Sequence, residues 1–178
     1  MKGEDESRNW EFKMPRLVKF SAIVSAIALF FLSSPVFAAT PRAVRSFNEA
    51  VQTKTKDFSE QTLIEAEFYD ENLKGADFHN ANLEGAVFNG SKLLNANWQG
   101  VNFQNGIAYL TDFTGVDLTN AILTEAMMLR STFDQATITG ADFTNAVVDS
   151  LQKRKLCERA SGINPTTGVS TKESLACR

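Results

Sequence analysis

The 178-residue sequence predicts an all-β fold, a square coil of short parallel strands with short helical covers at both ends. Three observations predict it. Every fifth residue from Phe58 to Val148 is apolar, a column of 19 positions without exception in a chain that is 43% apolar overall. Two positions before these centres runs a second column of 17 residues, Ala66 to Ala146, of which ten are alanine. Two positions after the centres, from 60 to 145, Gly or Asn stands at 11 of 18 places. Residues two apart on an extended segment face the same side, so the first two columns point inward together. Gly and Asn best tolerate left-handed backbone angles, so the third column marks a bend. A quarter turn every five residues closes a square coil in twenty. Coils stacked about 4.8 Å apart then make a rod of nearly five turns.

The elements follow in chain order. In residues 1–38, Lys13, Arg16 and Lys19 lead into an apolar run from Phe20 to Leu32, and small residues follow at Ala38 and Ala39. That order predicts a signal peptide cleaved after Ala38. A retained anchor is the alternative to cleavage, and Met14 is an alternative start. The apolar run falls short of the roughly 18–20 residues of a spanning helix, so membrane contact is expected only through the signal peptide before cleavage. Residues 39–55 read as an N-terminal helical cap. Thr40-Pro41 is a helix-start pair, and Ala43, Val44, Phe47, Ala50 and Val51 follow at helical spacing.

Residues 56–148 form the coil. On the wall centred at 73, 93, 113 and 133, Ser91, Thr111 and Ser131 replace the small apolar residues. They are expected to form an inward hydroxyl column bonded to backbone, with Glu71 escaping outward. Ala108 is the weakest centre, and a bulge or flattened coil is expected over Gly106–Leu110. Residues 149–178 read as a helical lid. A helix over Asp149–Ala160 turns Leu151 and Leu156 inward, and a loop passes through Asn164-Pro165. Ser170 and Glu173 then make a capping box for a last short helix. Cys157 and Cys177 are the only cysteines, and an exported chain meets an oxidising compartment, so a disulfide is expected. It closes a loop of about 20 residues, which in the chain-entropy model contributes roughly 3 kcal/mol. Redox activity of this pair is the alternative, without support from a CxxC spacing or a nearby histidine.

The tandem A(D/N)LXX pattern, as in Ala76-Asp77-Phe78, Ala81-Asn82-Leu83 and Ala141-Asp142-Phe143, resembles the pentapeptide-repeat proteins. The resemblance covers 56–148 and implies a right-handed quadrilateral parallel β-helix of nearly five coils. The segment Ser161-Gly162-Ile163-Asn164-Pro165 through Cys177 resembles the end of the thylakoid-lumen pentapeptide-repeat proteins of cyanobacteria and plants. The leader is too short for a chloroplast presequence, so the resemblance implies a cyanobacterial source and export to the thylakoid lumen or periplasm.

No reaction is expected. One histidine and two cysteines are too few for a histidine or cysteine metal cluster, so neither a metal nor another cofactor is expected. His79 stands outward after Phe78, with no Ser or Cys placed beside it for a triad. Asp112, Asp117, Asp134 and Asp142 fall where the repeat demands polar residues, and they read as a solvated face rather than a catalytic pair. A net charge of −3 gives no case for non-specific nucleic-acid binding. Residues 56–148 carry 13 acids against 4 bases, and some members of the resembled family present an acidic rod to gyrase as a DNA mimic. An exported chain does not meet gyrase, so DNA mimicry is the lesser alternative.

The wall centred at 68, 88, 108, 128 and 148 is different. Its outward residues include Tyr69, Val87, Ile107, Tyr109, Leu110, Met127, Leu129 and Val147, and a contiguous apolar patch marks an interface. Either the chain's own N-terminal helix or C-terminal segment covers it, or it docks a partner or a second copy. The expected function is a non-catalytic exported scaffold or protein-binding module, its partner a lumenal or periplasmic protein or itself. Control through Cys157 and Cys177 is the alternative.

Overall fold

A chain that must bend every fifth residue commits those residues to backbone angles most side chains avoid. In the computed structural model, which describes residues 56–178, all 18 bend positions from 60 to 145 have φ between +53° and +71°. Seven of them, including Glu65, Leu110 and Arg130, are neither Gly nor Asn. After 15 of the 18 bends the next residue donates its amide to the centre three residues back, as Ala81 does to Phe78 at 2.8 Å. A closed four-residue turn with positive φ at its third residue is the type II requirement. The left-handed bend costs an ordinary residue roughly 1–2 kcal/mol. The ladder offsets it, since the bend amides themselves bond to the next coil, as Leu110 N–H does to the Leu129 carbonyl at 3.2 Å.

Each residue pairs with the one twenty ahead. Asp57, Asp77, Asn97, Asp117 and Thr137 form one continuous parallel column, and Glu67, Val87, Ile107, Met127 and Val147 another. The pairings are single bridges except where two residues run together as strands, β1 (Met127–Met128) and β2 (Val147–Val148). Four bends per twenty residues give four walls, and the register never slips. The bulge expected over Gly106–Leu110 is therefore absent: Ile107 pairs with both Val87 and Met127. A Cβ on Gly106 would overlap the Phe103 ring, which occupies that space, and Ala108 is fully buried.

Every centre from Phe58 to Phe143 is at most 2% exposed. Phenylalanines stack over one another from coil to coil, Phe68 on Phe88 at 4.2 Å and Phe113 on Phe133 at 4.9 Å between ring centroids. Trp98 meets Phe78, Phe88, Phe103 and Phe113 edge-on, the arrangement that aromatic quadrupoles favour. The tube is filled by its own side chains.

The hydroxyl column forms as expected. Ser91, Thr111 and Ser131 are buried and donate to the carbonyls of Phe68, Phe88 and Ala108 in the preceding coil. Ser91 and Ser131 also accept the amides of Glu71 and Thr111. Glu71 itself is half-buried rather than fully outward.

The C-terminal end closes with helix α1 (Ser150–Cys157), a loop, and a single-turn helix α2 (Thr171–Ser174). Leu156 is buried, whereas Leu151 is 55% exposed, contrary to the inward position expected of it. Leu151 and Leu156 are five residues apart, about 140° round the helix at 3.6 residues per turn, so the face that turns Leu156 to the coil turns Leu151 away. Of the capping box only one half is present, with the Ser170 side chain accepting the Glu173 amide at 3.2 Å. The expected signal peptide (1–38) and N-terminal cap (39–55) lie outside the described residues. Among the described residues no helix is long and apolar enough to cross a membrane.

Candidate functional site

In most pentapeptides the coil-to-coil ladder and the turn serve four of five amides and leave one over, that of the residue after the centre. Asp or Asn placed before the centre serves it. Nine of the 19 positions from 57 to 147 are Asp or Asn. All nine accept the amide two residues on, at 2.9–3.3 Å, as Asp117 does for Thr119 and Asn82 for Glu84. This explains the (D/N) of the repeat: a short polar side chain bonding its own backbone two residues on. The sequence reading took those residues only as solvent-facing and missed this role, although their fixed spacing was the available signal.

The same bonds hold three carboxylates below the usual range. Burial works to raise Asp112, but the hydroxyl and amide of Thr114, the Thr132 hydroxyl and the charge of Lys92 outweigh it. For Asp117, burial is likewise outweighed, by the Thr119 hydroxyl, the Gln99 amide group and the Thr119 amide. Exposed Asp57 is lowered by the hydroxyl and amide of Ser59. These acids are structural acceptors. Among the described residues no group of His, Cys, Asp or Glu is placed to hold a metal ion. His79 bonds its neighbour Asn80, and its amide is served by Asp77.

One wall breaks the rule completely. The residues before its centres are Glu67, Val87, Ile107, Met127 and Val147, none of them Asp or Asn, whereas the other three walls have nine in 14. Of the amides after these centres, only that of Tyr109 has a side-chain acceptor, Asn89 Oδ1 in the preceding coil. Each of the four apolar replacements gives up a hydrogen bond worth about 1 kcal/mol and puts apolar surface into water. Ile107, Met127 and Val147 are 37%, 46% and 45% exposed, and Leu110 at the adjoining corner is 54% exposed. Val87, Tyr109 and Leu129 are half-buried among them, and the Arg130 guanidinium lies 5.6 Å from the centre of the Tyr109 ring. Tyr69 is exposed but set apart, because Asn89 stands between it and Tyr109 in the same column. The C-terminal segment therefore does not cover this wall. Val87 to Val147 spans three coil steps, about 14 Å.

Below the wall the coil ends in backbone groups that would accept a further coil. The lid occupies them. Asp149 accepts the Arg130 amide, Gln152 the Phe133 amide and Ser174 the Phe143 amide. Arg159 donates to the Phe133 carbonyl, and buried Asn164 donates to the Gly140, Asn120 and Ala121 carbonyls. Cys157, the last residue of α1, is joined to Cys177 beyond α2, with 5.6 Å between their Cα atoms.

A family model described as pentapeptide repeats matches residues 57–90, 81–107 and 111–147, in eight copies. Thylakoid lumenal protein TL20.3, chloroplastic, of Arabidopsis thaliana is 60% identical over 42 residues, 24% of this chain and 15% of the relative. Thylakoid lumenal 15 kDa protein 1, chloroplastic, of the same plant is 43% identical over 47 residues, 26% of this chain and 21% of the relative. The matched region thus spans about a fifth or less of these curated relatives. The crystal structure of a pentapeptide repeat protein from the A. thaliana thylakoid lumen superposes with a TM-score of 0.67 at 39% identity. That match covers 68% of this chain and 85% of the other.

Proposed function

Since the chain belongs to the pentapeptide-repeat family, we propose that it is a non-catalytic scaffold of the thylakoid lumen that docks protein through its apolar wall. The lumenal relatives support the compartment, with the periplasm as the other destination open to an exported chain. A filled interior supports the absence of catalysis, because it leaves no room for substrate, and the aspartates before the centres are engaged as backbone acceptors. The single observation that carries docking is the column Val87–Ile107–Met127–Val147, left apolar and largely open where the other walls place amide acceptors. Ile107→Asp tests it. The variant should unfold at the wild-type temperature and lose association with protein. A lowered midpoint in a protein that never associates would mean that the chain covers its own wall.

A second reading rests on Cys157 and Cys177. The bond ties together the two helices that hold the end of the coil, so a reductant that opened it would loosen the cover and make the chain a redox-controlled regulator. Counting accessible thiols in protein taken directly from the cell tests this: two free thiols favour control, and none favours a permanent staple.

A further inference from the structure

The wall's own pattern says what fits it. We infer that its occupant is a second copy of this chain, packed wall to wall with the coils running in opposite directions; the inference rests on the docking reading above. A two-fold axis lying across the wall between Ile107 and Met127 pairs Ile107 with Met127 of the other copy and Val87 with Val147. It also sets Tyr109 against Leu129, so the apolar residues on either side of the wall's centres meet apolar ones, while Leu110 at the corner meets the Arg130 side chain. The opposite arrangement, with coils running the same way, sets Val87 against Asn89 and Val147 against Asp149 and leaves both mismatched.

Charge complements the reversal. The coil's N-terminal end is acidic beside this wall, with Glu65, Glu67, Asp70 and Glu71 in the first coil. At its foot begins α1, which carries Lys153 and Arg154. Reversal brings the acidic head of each copy beside the basic foot of the other, twice, whereas parallel coils set acid against acid and base against base. The wall's strand bridges are already bonded from coil to coil, so the contact is made by side chains and adds no strand. A face about 24 Å tall and 13 Å wide has a plan area of about 300 Å², so the two copies together cover on the order of 600 Å², below the size of a stable interface, which sets a weak, reversible dimer.

Sedimentation equilibrium of the purified protein across micromolar concentrations is the test, with cross-linking to fix the orientation. The expected result is a monomer–dimer equilibrium whose dissociation constant rises at least tenfold in Ile107→Asp, at unchanged thermal midpoint, and also rises when Lys153 and Arg154 are both changed to Glu. A mixture of Val87→Cys and Val147→Cys proteins should cross-link under mild oxidation, and neither variant alone should. A dimer that survives Ile107→Asp, or that cross-links through Val87→Cys alone, overturns the proposal. A monomer at every concentration also overturns it. In that case, Ile107-dependent binding to another purified lumenal protein would leave the docking reading standing, and the lack of any such binding would remove both.

Discussion

The Asp117 carboxylate accepts the Thr119 amide at 2.9 Å and its hydroxyl at 2.6 Å, closing a small ring outside the coil. The same ring recurs wherever Asp or Asn precedes a centre, and it serves the one amide that neither ladder nor turn reaches. Asp117→Ala should lower stability by about 1 kcal/mol, while Asp117→Asn, which keeps the acceptor, should be close to neutral. Denaturant melts of the two variants check this, and equal losses in both would show that charge rather than the amide bond matters.

Acid should act through the same residues. The carboxyls of Asp57, Asp112 and Asp117 lie below their ordinary range in the folded chain, so the unfolded chain binds their protons first. Their stabilisation is complete above the unfolded carboxylate range, near pH 4, and is lost as pH falls through the lower folded values. The thermal midpoint should therefore hold level from pH 7 to about 5 and decline below about 4. Changing Asp112 and Asp117 together to Asn should flatten that decline.

Gly106 has no positive φ, so a substitution there is judged by space alone. Gly106→Ala drives a methyl into the Phe103 ring and should cost on the order of 1–3 kcal/mol. Adding Phe103→Leu should recover part of that loss. A Gly106→Ala protein as stable as wild type would mean that the ring moves aside freely.

Removing the cross-link by Cys157→Ser should lower stability by roughly 3 kcal/mol on the chain-entropy estimate, and a reductant should do the same to wild type. The coil should remain folded near its first turns, because the lid bonds only residues from Asn120 onward. Hydrogen exchange that rises around Phe133 and Gly140 but not around Phe78 is the expected pattern.

The register was legible in the sequence because one residue type recurs at each place of the repeat. Phe58 through Phe143, the serine and threonine column and the bends all follow from period and side-chain size. What escaped was local and geometric. Ala108 looked too small to fill its level, since nothing in the sequence says that the Phe103 ring leans over Gly106. Leu151 looked like a core residue because it is apolar, but it stands about 140° round α1 from buried Leu156 and faces away from the coil. The apolar wall was visible as an excess of large residues, but its meaning sharpened only when the acceptor role of Asp and Asn emerged. Val87, Ile107, Met127 and Val147 are then not merely apolar, since they stand where a bond to backbone could have been.

Met127→Asn tests that claim most directly, because it restores an acceptor within reach of the Leu129 amide while removing apolar surface from the middle of the wall. Thermal unfolding and sedimentation on one sample read both effects. A midpoint at or above the wild-type value, together with lost association, is the predicted result. A protein that unfolds earlier yet associates as well as before would contradict it.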